Sequence, residues 1–231
     1  MREVNVKHIR GIERALSVLD CFSMDSMELS LSEMVNKVGL PRTTLYRILH
    51  TLEMMNYIRY DSGRDTYRLT MKLYELGTIA ASSVSFKREI SNFLDELKTK
   101  TPYTILVAVL YDQKLLYLDK RESKRELKVG SEIGRVREPD YSILGKAILA
   151  FLNPEELDQI MTTLKSNRTN EDMGKLLNRL DEIRSIGYAY AKDETTKGVS
   201  GASAPIFNKD NRVVASLGIL APSSQVNEKQ K

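Results

Sequence analysis

The stretch from Ser30 to Leu69 restricts what this chain can fold into more than any other. Ser30-Leu-Ser-Glu33 has the Ser–x–x–Glu spacing of a capping box and opens a short helix to about Lys37. Gly39 stops that helix. Pro41 opens the next at its first helical position, where a missing N–H costs nothing. In the second helix Leu45, Ile48, Leu49 and Leu52 fall at i, i+3, i+4 and i+7, one buried stripe. Two helices joined by a short turn containing glycine form the helix-turn-helix pattern. Residues 57–60 and 66–69 then alternate as short strands around a hairpin loop at 61–65. Ile12, Ala15, Leu16, Leu19 and Phe22 outline a helix ahead of the pair. Three helices followed by a hairpin predict a winged helix-turn-helix domain over residues 1–70.

The second helix has an unusual outer face. At about 100° per residue, Thr43 and Arg47 point directly away from the leucine stripe, flanked by Thr44 and Tyr46, with Arg42 nearer the core edge. A recognition helix in a major groove uses residues of this kind near its N-terminus. Arg47 can pair with guanine O6 and N7, Thr43 can touch a base or a thymine methyl, and Thr44 and Tyr46 suit phosphates. Ser32, on the preceding helix, joins them as a DNA-contact candidate. An ordinary solvated helix face is the plainer account of such residues taken alone; the capped helix before and the hairpin after disfavour it. Arg64, in the hairpin loop, reads equally as a wing contact to DNA or as a solvated charge beside Asp61 and Asp65.

Residues 71–86 predict a linker helix, and Ile90, Phe93, Leu94 and Leu97 a second apolar stripe that opens a domain over 87–231. Residues 103–111 and 114–120 are strands about the turn Asp112-Gln113, with an edge strand at 126–129. Helices follow at 141–152, after the Asn153 cap, and through Leu176, Leu177, Leu180 and Ile183 to Gly187. Strands near 188–192, 199–207 and 211–220 close the chain. Strands, then helices, then strands describe an α+β domain around a mostly antiparallel sheet.

Other classes fare worse. No apolar run approaches the roughly 20 residues of a membrane span, and residues 1–20 lack a signal-peptide core, which fits a cytoplasmic protein. Two histidines and one cysteine argue against a metal site. No cofactor fingerprint or nucleophile triad is present. Asp193-Glu194 near Lys197 is the best acid/base cluster, too little to predict an enzyme. Residues 114–137 hold eight basic residues against four acidic ones, which reads as a solvated strand edge more readily than as a second nucleic-acid surface.

The order of these elements, and the wording of IERALSVLDCF, LSLSEMVNKVGLPRTTLYRILHTLEMMNYI, YRLTMKLYELG, SILGKAILAFL, DEIRSIGYA and SAPIFNKDNRVVASLGI, resemble the IclR family of bacterial transcriptional regulators over nearly the whole chain. The resemblance implies a winged helix-turn-helix domain, a linker helix and a GAF-like effector-binding domain. It also implies a homodimer, able to pair into a tetramer, on a double-stranded DNA operator. It carries the recognition face onto Arg42, Thr43, Thr44, Tyr46 and Arg47. It places the effector pocket at the start of the LGKA helix, with Tyr141, Ser142, Leu144 and Gly145, where a helix terminus favours an anion.

Members that bind small 2-oxo acids hold them with an Asp, a Cys and two Ser. Here those positions are Ala191, Gly201, Gly218 and Leu220. With all four polar anchors absent, a glyoxylate- or pyruvate-sized acid is not the expected effector. Either a larger, more apolar molecule enters, with two glycines making room, or the pocket is empty. A further departure is that only Val226 is apolar after Pro222, so the family's C-terminal helix is not expected. The reading is a cytoplasmic, effector-controlled DNA-binding regulator, a repressor sooner than an activator. The rival is a non-enzymatic sensor or assembly module whose winged helix binds protein.

Overall fold

The computed structural model describes residues 8–82, 85–130 and 133–226, so the expectation for the C-terminal tail falls largely outside the described residues. The chain divides into two compact units, Met1–Ser85 and Phe86–Lys231. In the first, α1 (Arg10–Leu19), α2 (Leu31–Val38) and α3 (Arg42–Met54) pack around Val18, Met34, Leu45 and Leu49, all fully buried. The wing is a three-stranded antiparallel sheet: β1 (Glu28–Leu29), β2 (Ile58–Asp61) and β3 (Thr66–Leu69), in the order β1-β3-β2. Strand β1 lies between α1 and α2, where the sequence patterns above assign no element. Helix α4 (Met71–Ser82) follows.

The capping box forms as its spacing predicts. Glu33 N–H donates to Ser30 Oγ at 3.3 Å, and the Glu33 carboxylate accepts from Ser30 N at 2.8 Å. Gly39 ends α2 at φ 70°, a left-handed conformation that a side chain disfavours. Pro41 is corrected by one position. Its ψ of 140° keeps it extended just before the first helical residue, where its carbonyl accepts from Leu45 N. The first stripe also needs correction: Ile12 and Leu16 stand 57% and 54% exposed, and Val18 takes the core.

The second unit runs α5 (Ser85–Lys100), β4 (Thr104–Tyr111), β5 (Lys114–Arg121), β6 (Val136–Arg137), α6 (Ile143–Leu149), α7 (Pro154–Lys165), α8 (Asn170–Ile186), β7 (Ala189–Lys192), β8 (Val199–Phe207) and β9 (Val213–Pro222). The six strands form an antiparallel sheet in the order β6-β5-β4-β9-β8-β7. One face packs Leu106, Ala108 and Leu115 against α6, α7 and α8; the other packs Ile105, Val107 and Ala215 against Ile90 and Leu94 of α5. Burial on both faces is why β4 is apolar almost throughout. Phe93, expected inside, is exposed, because it lies about 100° around the helix from Leu94.

Two expectations give way here. The edge strand is not 126–129 but Val136–Arg137, which pairs with Leu115 and Leu116. The chain returns to β5 through Gly134, at φ 84°, whose N–H donates to Tyr117 O, and residues 126–129 are left as loop. The helix expected over 141–152 is the shorter α6, because Ser142 is extended (φ −134°, ψ 168°). Gly145 shows how closely α6 lies on its approach: a Cβ there would stand 1.7 Å from Pro139 O.

Ser30→Ala should lower the stability of the N-terminal unit by about 1 kcal/mol, read by denaturant titration at neutral pH. The hydrogen bonds from Ser30 hold the Glu33 carboxyl below its ordinary value of 4.5. A depressed carboxyl contributes stability above that value and loses it as pH falls through the lower folded-state value. The Ser30→Ala penalty should therefore shrink on acidification through that window.

Candidate nucleic-acid interface and ligand cavity

With Leu45, Leu49 and Leu52 buried, α3 turns Arg42, Thr43, Tyr46 and Arg47 to solvent, with Thr44 half-buried beside them. The side chains of Thr43, Tyr46 and Arg47 make no hydrogen bond or ion pair among the described residues. Arg42 reaches back to α2, its Nη2 donating to Ser32 Oγ at 3.5 Å, so the DNA-contact candidates on the two helices adjoin. Glu53, at the far end of α3, accepts from Tyr60 N at 2.9 Å and ties the helix to the wing. Arg64 does not project freely. Its Nη1 donates to both carboxylate oxygens of Glu28, at 2.8 and 3.0 Å. The wing holds two further exposed arginines, Arg59 and Arg68, directly opposite each other in the β2–β3 register.

In the second unit a cavity of about 610 Å³ opens on the sheet face beneath α6. The strand register explains its position. Ala191 pairs with Gly201, and Gly201 with Leu220, so three of the expected anchor positions form one row across β7, β8 and β9. These three line the cavity, as do Tyr141, Ser142 and Leu144 at the start of α6. Gly145 and Gly218 do not. Gly145 is packed on Pro139, and a Cβ on Gly218 would stand 3.1 Å from Leu144. The room expected above the two glycines is already filled, because over Gly201 a Cβ would meet Leu220 Cδ2 at 2.5 Å.

The sequence reading missed the rest of the wall: Tyr117 on β5, Arg135 and Arg137 at the edge strand, and the loops at 127–130 and 194–198. Only the excess of basic residues over 114–137 signalled it, and that was read as solvated edge. Burial pushes the Tyr117 phenol up, and the neighbouring Ser142 hydroxyl draws it partly back. Asp193 and Glu194, the acid/base candidates, hold the loop. Asp193 accepts from Gly198 N at 2.6 Å and from Ser223 Oγ at 2.8 Å, contacts that depress its carboxyl. Glu194 is ion-paired with Lys146 of α6, and Thr195 Oγ1 donates to Tyr141 O at 3.1 Å. Among the described residues no three His, Cys, Asp or Glu gather as a metal site, and no helix is long and apolar enough to cross a membrane.

Known proteins agree with both halves. Residues 11–62 match the IclR helix-turn-helix domain, and residues 78–231 match the bacterial transcriptional regulator IclR C-terminal domain. The HTH-type transcriptional regulator XynR of Escherichia coli is 30% identical over 224 residues, 95% of this chain and 89% of its own. KdgR of the same organism is 30% identical over 231 residues, 98% of this chain and 85% of its own. Among solved structures, a putative IclR regulator from Silicibacter sp. TM1040 superposes with a TM-score of 0.80 at 25% identity, covering 95% of this chain and 88% of that one. An IclR homolog from Microbacterium hydrocarbonoxydans, solved with 4-hydroxybenzoate, shares the fold at 19% identity and a TM-score of 0.78, over 95% of this chain and 92% of that one. With matched domains over most of its length and relatives at this identity, the chain belongs to the IclR family of bacterial transcriptional regulators.

Proposed function

We propose that the protein is a sequence-specific DNA-binding regulator, a repressor, that acts as a dimer in the cytoplasm and is controlled by a small molecule in the cavity. The observation that carries the DNA reading is the α3 face. Thr43, Tyr46 and Arg47 are exposed with no side-chain partners among the described residues, on a helix whose rotation is fixed by Leu45 and Leu49. Arg47 is the base reader, Thr43 a second base contact, and Thr44, Tyr46 and the Arg42–Ser32 pair hold phosphates. Arg64 is assigned a lesser part, since Glu28 already neutralises it.

Dimerisation is supported by two apolar stripes in the N-terminal unit. On α1 and its first flank, Ile9, Ile12 and Leu16 are 67%, 57% and 54% exposed at i, i+3 and i+7. On α4, Met71, Tyr74 and Ile79 are 72%, 68% and 60% exposed. A second copy would bury these faces and pair two recognition helices on a two-fold operator.

The effector is larger than a two- or three-carbon acid. The row that holds such acids in other members is here Ala191, Gly201 and Leu220, and none of the three carries a side-chain hydrogen-bonding group. That a distant homolog was solved with 4-hydroxybenzoate supports an effector of about that size or more.

Arg47→Ala should weaken binding to the upstream intergenic DNA by about 1–3 kcal/mol, the worth of one bidentate base contact. Arg64→Ala should change it far less. Fluorescence anisotropy over a salt series reads both. An Arg47→Ala protein that binds as wild type at every salt concentration would sink the DNA reading and favour a winged helix that docks on protein. Ile12→Glu combined with Leu16→Glu should yield monomers by sedimentation velocity and lose operator affinity. Calorimetry should find no tight binding of glyoxylate or pyruvate.

A further inference from the structure

The charges around the cavity do not balance evenly. Among the described residues two carboxylates line it, and each is neutralised within the protein. Glu122 accepts from Lys120 at 3.2 Å and from Lys128 at 3.0 Å, and Glu194 pairs with Lys146, which is 14% exposed. Arg137 lines the same cavity and has no carboxylate partner among the described residues. Its neighbour Glu138 is taken by Lys114, at 2.6 Å. What holds Arg137 instead is an aromatic face: its guanidinium carbon lies 4.8 Å from the centre of the Tyr141 ring. A cation over a ring is oriented without being neutralised, so its N–H edge and its charge stay available to a second group. The residue is half-buried, which strengthens any pairing it makes relative to a fully solvated arginine.

The remaining surface is of two kinds. Leu106, Leu144 and Leu220 give an apolar floor. At the start of α6, Ser142 is 7% exposed, and among the described residues its Oγ has no partner besides the neighbouring Tyr117 phenol. A buried hydroxyl retains capacity for a further hydrogen bond, which a bound molecule can use. A cavity of about 610 Å³ falls within the range of roughly 300–1,000 Å³ typical of sites for drug-sized ligands.

We propose that Arg137, oriented by the ring of Tyr141, is the charge-reading residue of this cavity: it pairs with the anionic group of an effector whose apolar body lies over Leu106, Leu144 and Leu220. The proposal rests on the reading of the cavity as the effector site. It differs from a site in which the strands β7 to β9 supply the polar anchors. The anchor row on those strands is apolar here, the Ser200 hydroxyl of β8 is paired with Ser223, and the selecting charge stands at the opposite edge of the sheet, on β6. Ser142 is the hydrogen-bonding partner for a second polar atom of the ligand, and Tyr141 is a positioning residue for Arg137.

The test uses the full-length protein and calorimetry with defined probes: the straight-chain and phenyl-terminated monocarboxylates from butanoate to decanoate, each against its own carboxamide. Acids should bind at least about tenfold tighter than the matching amides, one desolvated charge-assisted contact. Arg137→Gln should remove that preference, weakening acids at least about tenfold more than their amides, and Arg137→Lys should restore part of it. Tyr141→Leu should weaken acids more than amides. Amides that match acids, an Arg137→Gln protein that keeps the acid preference, or no binding by any acid in the set would each overturn the assignment. Ala191→Phe, which fills the cavity from the far wall, separates this from the underlying reading. If it abolishes binding of acids and amides alike, the cavity is the site whatever Arg137 does. If it leaves both unchanged in a protein with a wild-type melting curve, the cavity reading itself fails.

Discussion

A helix that buries Leu45, Leu49 and Leu52 has no rotational freedom left. The three leucines are 0%, 0% and 8% exposed, against Val18, Met34 and Ile58 from three other elements. Burying side chains of this size is worth about 1.5–3 kcal/mol each. Rotating α3 by even a quarter turn would return much of that to water. The outward direction of Thr43 and Arg47 is therefore a consequence of core packing, not of anything those two residues do. The Ser30–Glu33 box, the Gly39 turn and the Glu53–Tyr60 contact fix where the helix begins and how it meets the wing. The outer face of α3 is held in place because its support is buried.

The sheet of the second unit imposes a similar discipline. Antiparallel pairing puts directly opposed residues on one face, so the Ala191–Gly201–Leu220 row is set by register, whatever its chemistry. The chemistry is then free to vary. Here the row is small and apolar, and the Leu220 side chain leans over Gly201 instead of leaving a void there. A side chain placed at Gly201 would have to displace that leucine and would meet Ile219 O at 2.8 Å. The cavity therefore keeps its place in the fold while its polar groups come from positions off that row, among them Tyr117, Arg137, Ser142, Glu194 and Ser200.

What was legible in the sequence follows from the range of the interactions involved. The capping box, the helix stops and the leucine stripe are local patterns, and they yield α2 and the start of α3 to within a residue. The positions Ala191, Gly201 and Leu220 come from the resemblance alone; that they form one row is set by strand register, which the sequence does not show. The edge strand was not legible either. Whether 126–129 or 136–137 pairs with Leu115 and Leu116 depends on where the chain turns back, and Gly134 decides that through a long-range bond to Tyr117. The error hid Arg137, which read as one more surface charge in a basic stretch. Ile12, Leu16 and Phe93 misled for a related reason. Apolar periodicity locates a stripe without saying whether its partner is the same chain's core, another copy or water.

Arg121 shows how the cavity wall is continuous with the opposite face of the sheet. Strand β5 carries Tyr117 at the cavity, and four residues on it carries Arg121, which pairs with Asp95 of α5 and donates to Ser91 Oγ at 2.7 Å. Helix α5 is in turn the first helix after α4 in the chain. An effector can shift an equilibrium only by as much as it binds one arrangement better than another. The contacts that can differ between arrangements are those at element junctions, since the packed interiors around Leu94 and Leu106 resist continuous deformation. The Arg121 clasp is such a junction, polar and partly exposed, and made of bonds that can exchange for water. Lys146–Glu194 at the cavity mouth is another. Ion pairs of this kind contribute little to folding stability, and they sit between packed parts that are costly to deform.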